Sequence, residues 1–373
     1  MTQIKNIKIQ DFALWDKMNK HHRPFSFNLE ITPRCNNDCS HCYINLSVAD
    51  QDARSKELTL LEIDTIADQA IALGAIWVLI TGGEPLIRDD FQDIYLLLKR
   101  KGLLVSVFTN ATLIREEHVE LFQKYPPRDI EITVYGATQE SYERVTGRIG
   151  SFASFSNGLN RLIEANIKVR LKAIAMRSNY LELPAIAAFC RAHTKDYFRF
   201  DPQLHLRLDH NEKRNLMIKS ERLTPEEIVA LEKADEERFS ILQKGCSVLI
   251  IEEFAQNDGD LLFRCGLGKG SFDISYDGKF RLCSSLCAPE TVYDLRAGSL
   301  REAWEEFVPK VCNMRSNRPE YLDHCRICPI VNLCLWCPAH AYLETGDLDT
   351  SIEYFCQVAR ARAAAIQEDN SAG

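Results

Sequence analysis

The sequence predicts an α/β fold, a partial (β/α)6 barrel followed by a small cysteine-rich unit, and three observations carry that reading. Between residues 26 and 202 six short β-rich runs alternate with helical patterns. The cysteines are clustered rather than scattered. A length of 373 residues at 46% hydrophobic supports one α/β core of roughly 200 to 250 residues plus a smaller unit. The chain accordingly divides into an N-terminal extension (1–25), a barrel (26–240) and a C-terminal unit (241–373).

In order, "SFNLEIT" (26–32), "AIWVLIT" (75–81), "LLVSVFT" (103–109), "DIEITVY" (129–135), "KVRLKAIAM" (168–176) and "YFRFDP" (197–202) read as the strands. The segments between them carry helix boundaries. Thr59 and Glu62 make a capping box ahead of an apolar face of Leu60, Ile63, Ala67, Ala70 and Ile71. Phe91, Ile94, Tyr95 and Leu98 form the inward face of the next helix, Lys99 to Lys101 suit its negative end, and Gly102 stops it. Strand and helix repeated in this way imply parallel strands with right-handed crossovers. A further helix opens at Thr224, with Pro225 in its first turn and Glu227 completing a second box. Beyond about 240 the pattern turns to short strands, turns such as "YDGK" (276–279) and cysteines, the composition of a unit that folds around metal. The closing "QEDNSAG" reads as a disordered tail.

The formal net charge of -8 comes from 45 basic and 53 acidic residues with no basic stripe, which argues against a nucleic-acid partner. The N-terminus lacks a signal-peptide pattern, and the longest apolar run, "IALGAIWVLI" (71–80), is too short to span a bilayer. The expectation is a soluble, cytoplasmic protein with no membrane partner. In a reducing cytosol 14 cysteines point to metal rather than disulfides. Cys190, within "IAAFCRA", reads as a small core hydrophobe. Three others lie at 35, 39 and 42, and the remaining ten between 246 and 356.

In a parallel α/β fold the loops after the strands' carboxyl ends gather at one face, where sites form. Here those loops are "PRCNNDCSHCY", "GGEP" (82–85), "NAT" (110–112) and "GAT" (136–138). Cys35, Cys39 and Cys42 suit three irons of a four-iron four-sulfur cube and leave the fourth without a local thiolate; structural zinc, with His41 as a further ligand, is the alternative. Gly82 and Gly83 let a ligand approach bare backbone, Glu84 offers a carboxylate to an ammonium, and Pro85 stiffens the turn. Alone, "GGEP" is equally a plain strand-to-helix turn.

Together these segments resemble the radical S-adenosylmethionine (SAM) enzymes: "CNNDCSHC" has their C-x3-C-x2-C pattern, and "GGEP" after the next strand looks like their SAM motif. The resemblance covers roughly residues 26 to 202 and implies a TIM-like partial barrel. It also implies a cluster on Cys35, Cys39 and Cys42 whose open iron takes the amino and carboxylate groups of SAM. Tyr43 follows the last cysteine as is common in the family, and Asn110 resembles its ribose-side polar residue. Arg144, in "ESYERVTGRIGSF", resembles the arginine that pairs with the SAM carboxylate, although a surface ion pair explains it as well. An electron from a flavodoxin- or ferredoxin-type donor would then cleave SAM to methionine and a 5′-deoxyadenosyl radical.

The second half resembles the SPASM extension, which houses two auxiliary iron-sulfur clusters. Cys265, Gly278 and Cys283 match its opening, and "CRICPIVNLCLWC" with Cys356 matches its close. By position, Cys325, Cys328, Cys334 and Cys356 hold one cluster, and Cys265, Cys283 and Cys337 serve the other. The gap between Cys334 and Cys337 is shorter than usual, and no cysteine stands just before Cys265. The latter cluster therefore has an open iron or recruits Cys246, Cys287 or Cys312. Two structural zinc sites are the plainer reading of the unit.

SPASM-bearing members act mostly on peptides and proteins, and the local phrasing here looks most like maturases of ribosomally made peptides (RiPP maturases). The resemblance implies hydrogen abstraction from a bound precursor peptide, leading to cross-linking, backbone excision or oxidation. About 25 residues precede the first strand, too few for a winged-helix leader-binding domain, so recognition of the leader is expected from a separate small protein or from the barrel surface. Asp201 and His205 are candidates for proton transfer, with structural capping as the plainer role. The rival readings are an anaerobic sulfatase-type maturase, which oxidises cysteine or serine to formylglycine, and a non-enzymatic iron-sulfur or zinc protein.

Overall fold

Side chains alternate across a strand, and here the alternation separates an apolar face from a polar one. A computed structural model describes residues 23–194, 198–249, 259–263 and 265–372. β1 (Ser26–Thr32), β2 (Trp77–Gly82), β3 (Leu104–Thr109), β4 (Ile130–Val134), β5 (Val169–Ile174) and β6 (Arg199–Asp201) lie side by side in chain order, each neighbouring pair parallel. These are the strands expected from sequence; Tyr197, at the start of the sixth run, lies outside the described residues. Phe27, Leu29 and Ile31 of β1, Val78 and Ile80 of β2, and Ile130, Ile132 and Val134 of β4 enter one buried core with the apolar stripes of the intervening helices. Cys190, fully buried in that core, is a packing residue as expected.

The helix Leu60–Leu73 carries the expected box: Glu62 N donates to Thr59 Oγ1, and Thr59 N donates to the Glu62 carboxylate. Its buried stripe is Ile63, Ile66, Ala67, Ala70 and Leu73, whereas Leu60 is 38% exposed. Helical side chains lean toward the N-terminus, so a leucine in the first turn points past the core it was expected to join. The helix Phe91–Arg100 buries Phe91, Ile94, Tyr95 and Leu98 and ends at Gly102 with φ +85°. Pro225–Ala234 is capped by Thr224 and Glu227.

The C-terminal segment continues the same sheet. β7 (Ser271–Ile274) pairs in parallel with the free side of β1, and β8 (Lys279–Arg281) and β9 (Tyr293–Asp294) follow antiparallel. Among the described residues the order is β9-β8-β7-β1-β2-β3-β4-β5-β6, with β9 and β6 at the edges. Phe272, Ile274, Phe280 and Trp304 share the core of the first six strands. The final helix, Glu353–Ala372, takes in residues read from sequence as a disordered tail. Phe355, Val358, Ala359, Ala363 and Ile366 are buried along it, and Arg362 grips Glu232 with Nε–Oε2 at 3.0 Å and Nη2–Oε1 at 2.7 Å. That apolar stripe packs the helix as far as Ile366.

Gly158, inside the helix Ser151–Glu164, lies so close to the backbone after β3 that a Cβ would overlap the Ala111 carbonyl oxygen. Gly158→Ala is therefore expected to destabilise the fold by about 1–3 kcal/mol, despite alanine's better helix propensity. A urea midpoint at or above that of the parent protein would refute this.

Candidate SAM and iron-sulfur site

The cysteine loop begins where β1 ends and is closed at its base. Arg34–Cys35 pairs in parallel with Leu46–Ser47, so the residues between them form one loop. The Arg34 guanidinium fixes its entry by a buried ion pair with Glu57, Nε–Oε1 2.7 Å and Nη2–Oε2 2.9 Å. Asp38 N and Ser40 N donate to the Thr146 and Val145 carbonyls at the end of the helix Gln139–Thr146. Two arginines beyond β6 hold the far side. Arg207 Nη1 donates to the Cys42 carbonyl at 3.3 Å and to Asn45 Oδ1 at 2.9 Å, and Arg214 Nη2 donates to Asp38 Oδ1 at 2.7 Å and to the Cys39 carbonyl at 3.2 Å. These arginines were not identified from sequence, because nothing in "LHLRLDHNEKRN" marks which basic residue folds back over a loop some 165 residues earlier.

Cys35, Cys39, Cys42, Tyr43, Gly82, Gly83 and Asn110 all line one cavity of about 260 Å³. Asn110 Nδ2 donates to Asn36 Oδ1 at 3.0 Å and lies 3.8 Å from Cys35 Sγ. The glycines have a reason beyond ligand access. Gly82 sits at φ +142°, a Cβ there would overlap the Thr32 carbonyl oxygen, and one on Gly83 would overlap the Arg34 carbonyl oxygen. Gly83 N donates to Thr32 O at 2.7 Å and Glu84 N to Arg34 O at 2.9 Å, so the second loop is sewn to the first.

Glu84 and Pro85 are buried behind this seam rather than lining the cavity. The Glu84 carboxylate accepts from Asn110 N at 2.7 Å, Thr109 Oγ1 at 2.8 Å and Leu86 N at 3.1 Å. It ties the β2 loop to the end of β3, a bracing role where an ammonium ligand was expected. Burial raises its pKa to about 7 against the pull of those donors. Arg144 also stands apart from the cavity: its guanidinium is half-exposed, donates to the Ser178 carbonyl at 3.0 Å and faces Glu140 at 3.5 Å.

The donor set suits an iron-sulfur cluster. Burial pushes the Cys35 thiol up to about 12 and raises Cys39 and Cys42 as well, the last against the pull of Arg207 and Arg214. Asn37 Nδ2 and Oδ1 and His41 Nδ1 are buried beside the cysteines without a hydrogen-bond partner among the described residues. Unmet polar groups and three thiols around one cavity are what a bound cluster and its ligand would satisfy. Among the described residues no three His, Cys, Asp or Glu side chains gather tightly enough for a single metal ion; a cube takes one thiolate per iron.

The cavity floor is the polar face of the sheet. Asn28, Glu30, Glu131, Thr133, Lys172 and Asp273 point into it from β1, β4, β5 and β7. Glu30 pairs with Arg281 at 2.7 Å, and Glu131 pairs with Lys172 and with Arg199 at 3.1 Å. Asn28 Nδ2 donates to Asp273 Oδ1 at 2.9 Å, and burial lifts the Asp273 carboxyl to about 6. None of these residues was identified from sequence. Their signal was present in "FNLEIT", "IEITV", "VRLKAI" and "FDI", where polar residues alternate with apolar ones in strands of a kind usually apolar on both faces.

In the C-terminal unit, Cys325, Cys328, Cys334 and Cys356 line one cavity, as grouped from sequence. Cys265 and Cys337 line another, and Cys283 lies close enough to both for their thiols to interact. The Cys246 side chain lies outside the described residues. Asp201 is exposed and caps a turn by accepting from Gln203 N at 3.0 Å. His205 is enclosed: its Nδ1 is 2.7 Å from Ser285 Oγ and 3.2 Å from His340 Nε2, and its ring lies 5.8 Å from that of Tyr43.

The family model of the radical SAM superfamily matches residues 29–187. Among curated proteins, the AdoMet-dependent heme synthase of Methanosarcina barkeri is 26% identical over 341 residues, 85% of this chain and 92% of that protein. The antilisterial bacteriocin subtilosin biosynthesis protein AlbA of Bacillus subtilis is 26% identical over 275 residues, 70% of this chain and 60% of AlbA, so the match spans less than two thirds of that relative. Among solved structures, Streptococcus suis SuiB bound to precursor peptide SuiA aligns with a TM-score of 0.69 at 15% identity, covering 96% of this chain and 84% of SuiB. The fold is shared. No helix among the described residues is long and apolar enough to cross a membrane.

Burial lowers His205 and His340 to about 4, below the unfolded value of about 6.5. The unfolded chain therefore binds more protons between these values, and stability is complete above about pH 6.5 and lost as pH falls toward 4. His340→Gln is expected to flatten that slope in urea titrations at stepped pH; an unchanged slope would contradict the assignment.

Proposed function

Residues 29–187 belong to the radical SAM enzyme superfamily, and from that premise we propose that the chain is a maturase acting on a ribosomally made precursor peptide. The observation that carries the reading is the single cavity where Cys35, Cys39, Cys42, Tyr43, Gly82, Gly83 and Asn110 meet the polar inner face of the sheet. Cys35, Cys39 and Cys42 would hold the cluster, and Gly82, Gly83 and Asn110 would cradle SAM. When bound, the pair supplies a 5′-deoxyadenosyl radical able to take hydrogen from an unactivated carbon.

The protein's own share is orientation and exclusion of water. Arg207, Arg214 and the Arg34–Glu57 pair keep the cysteine loop in one shape before any ligand arrives. Asn28, Thr133 and Lys172 offer donors and acceptors that match a peptide backbone, and Asp273, with its carboxyl near 6, is suited to holding or releasing a proton near neutral pH. The likenesses to AlbA and to peptide-bound SuiB favour a peptide substrate. The C-terminal cysteines would carry two auxiliary clusters, with a flavodoxin- or ferredoxin-type protein as electron donor, a small leader-binding protein as companion and the cytoplasm as setting.

A tetrapyrrole substrate is the second reading, favoured by one observation: the match to the heme synthase runs through 92% of that protein. Both readings require SAM cleavage. Anaerobically reconstituted protein given dithionite and SAM is expected to form 5′-deoxyadenosine, and Cys42→Ala to lose at least about 100-fold of that rate. A parent protein that contains iron and sulfide yet forms no 5′-deoxyadenosine would sink both. Mass loss or gain on a peptide encoded beside the gene supports the first; SAM-dependent conversion of an iron porphyrin with no change to the peptide supports the second.

A further inference from the structure

Cys265, Cys283 and Cys337 supply three thiols, and we propose that Cys312 is the fourth protein ligand of the auxiliary iron-sulfur cluster they hold. This rests on the reading that the C-terminal unit carries auxiliary clusters. Cys265, Cys312 and Cys337 line the same cavity, which measures about 620 Å³. Cys312 ends the short helix Val308–Cys312 and is directed at the loop that follows Cys265. Its sulfur lies 3.7 Å from the Leu267 carbonyl oxygen, and a Cβ on Gly268 would come within 2.7 Å of it. Gly268 has φ +70°, so the loop wraps over the Cys312 sulfur at a residue that brings no side chain between it and Cys265. Sulfur is a weak acceptor and donor, and one long contact to a carbonyl leaves this thiol largely unused by the protein.

The other candidates are placed differently. Cys287 lines a separate cavity with Tyr43, Tyr276 and Arg281. Cys325 borders the Cys312 cavity too, but it is also needed beside Cys328, Cys334 and Cys356. Cys246 belongs to the helix Glu236–Leu249, and its side chain is outside the described residues, so it enters the test. Four thiolates leave no iron of this cluster open, so substrate cannot ligate it. The cavity around Cys35, Cys39 and Cys42 differs: among the described residues no fourth cysteine lines it.

The test uses the full chain carrying C35A, C39A and C42A, reconstituted anaerobically with iron and sulfide, so that only auxiliary clusters load. About eight irons per chain are expected. Cys312→Ser, close to isosteric, should lose at least about one iron and give a reduced-state EPR spectrum that shifts when 2-mercaptoethanol is added. Cys287→Ser and Cys246→Ser should match the parent in both readouts. A C312S protein with parental iron and a thiol-insensitive spectrum would overturn the role of Cys312 while leaving the auxiliary clusters standing, as would the same loss appearing in C246S instead. A parent that binds no auxiliary iron would overturn the reading beneath it, and this proposal with it.

Discussion

The carbonyl oxygens of Thr32 and Arg34 set how the loop after the second strand meets the loop after the first. They accept the backbone N–H groups of Gly83 and Glu84, at 2.7 and 2.9 Å, and the approach is open because Gly82 and Gly83 carry no Cβ. Everything at the rim follows from this seam. The strand carrying the cysteines cannot shift against the strand carrying the glycines, and Glu84, turned away from the cavity, binds the third strand's loop to the second. Three strand ends are thereby tied into one frame, which is what a site needs to hold its groups in one geometry.

Below the rim, the sheet solves an opposite problem. Charged side chains on the inner face are expensive to enclose unless they are paired. Glu30 with Arg281, and Glu131 with Lys172 and Arg199, meet that requirement while still facing the cavity. Asp273 accepts from the Asn28 amide, and burial raises its carboxyl to about 6, so it keeps its proton to a higher pH than an exposed aspartate would.

Much of this was legible in the sequence. The strand ends, the capping boxes at Thr59 and Thr224 and the cysteine trio depend on short-range spacing, which the sequence displays directly, and the grouping of Cys325, Cys328, Cys334 and Cys356 followed from the resemblance to the SPASM extension. What it hid depends on distance along the chain or on which way a side chain turns. Glu84 and a ligand-binding glutamate are written identically, and only the donors around it reveal a brace. Arg144 follows the expected motif yet its helix turns it to Ser178. Arg207 and Arg214 act across the fold, and the helix over the last residues is held by a stripe whose partners lie around Glu232 and Leu333.

The parallel pairing of β7 with β1 bears on how the two halves depend on each other. β1 leads into the cysteine loop, and among the described residues Ser26 to Leu29 are covered on their outer side only by Ser271 to Ile274. Without that cover the first strand would present a row of unpaired backbone groups, the kind of edge along which chains stack on one another. The cysteine-rich half is thus also a guard against self-association. A proteolytic nick that let it drift away would bare the strand on which the cysteine loop is built and, in the same event, take Asp273 from the cavity and Arg281 from Glu30.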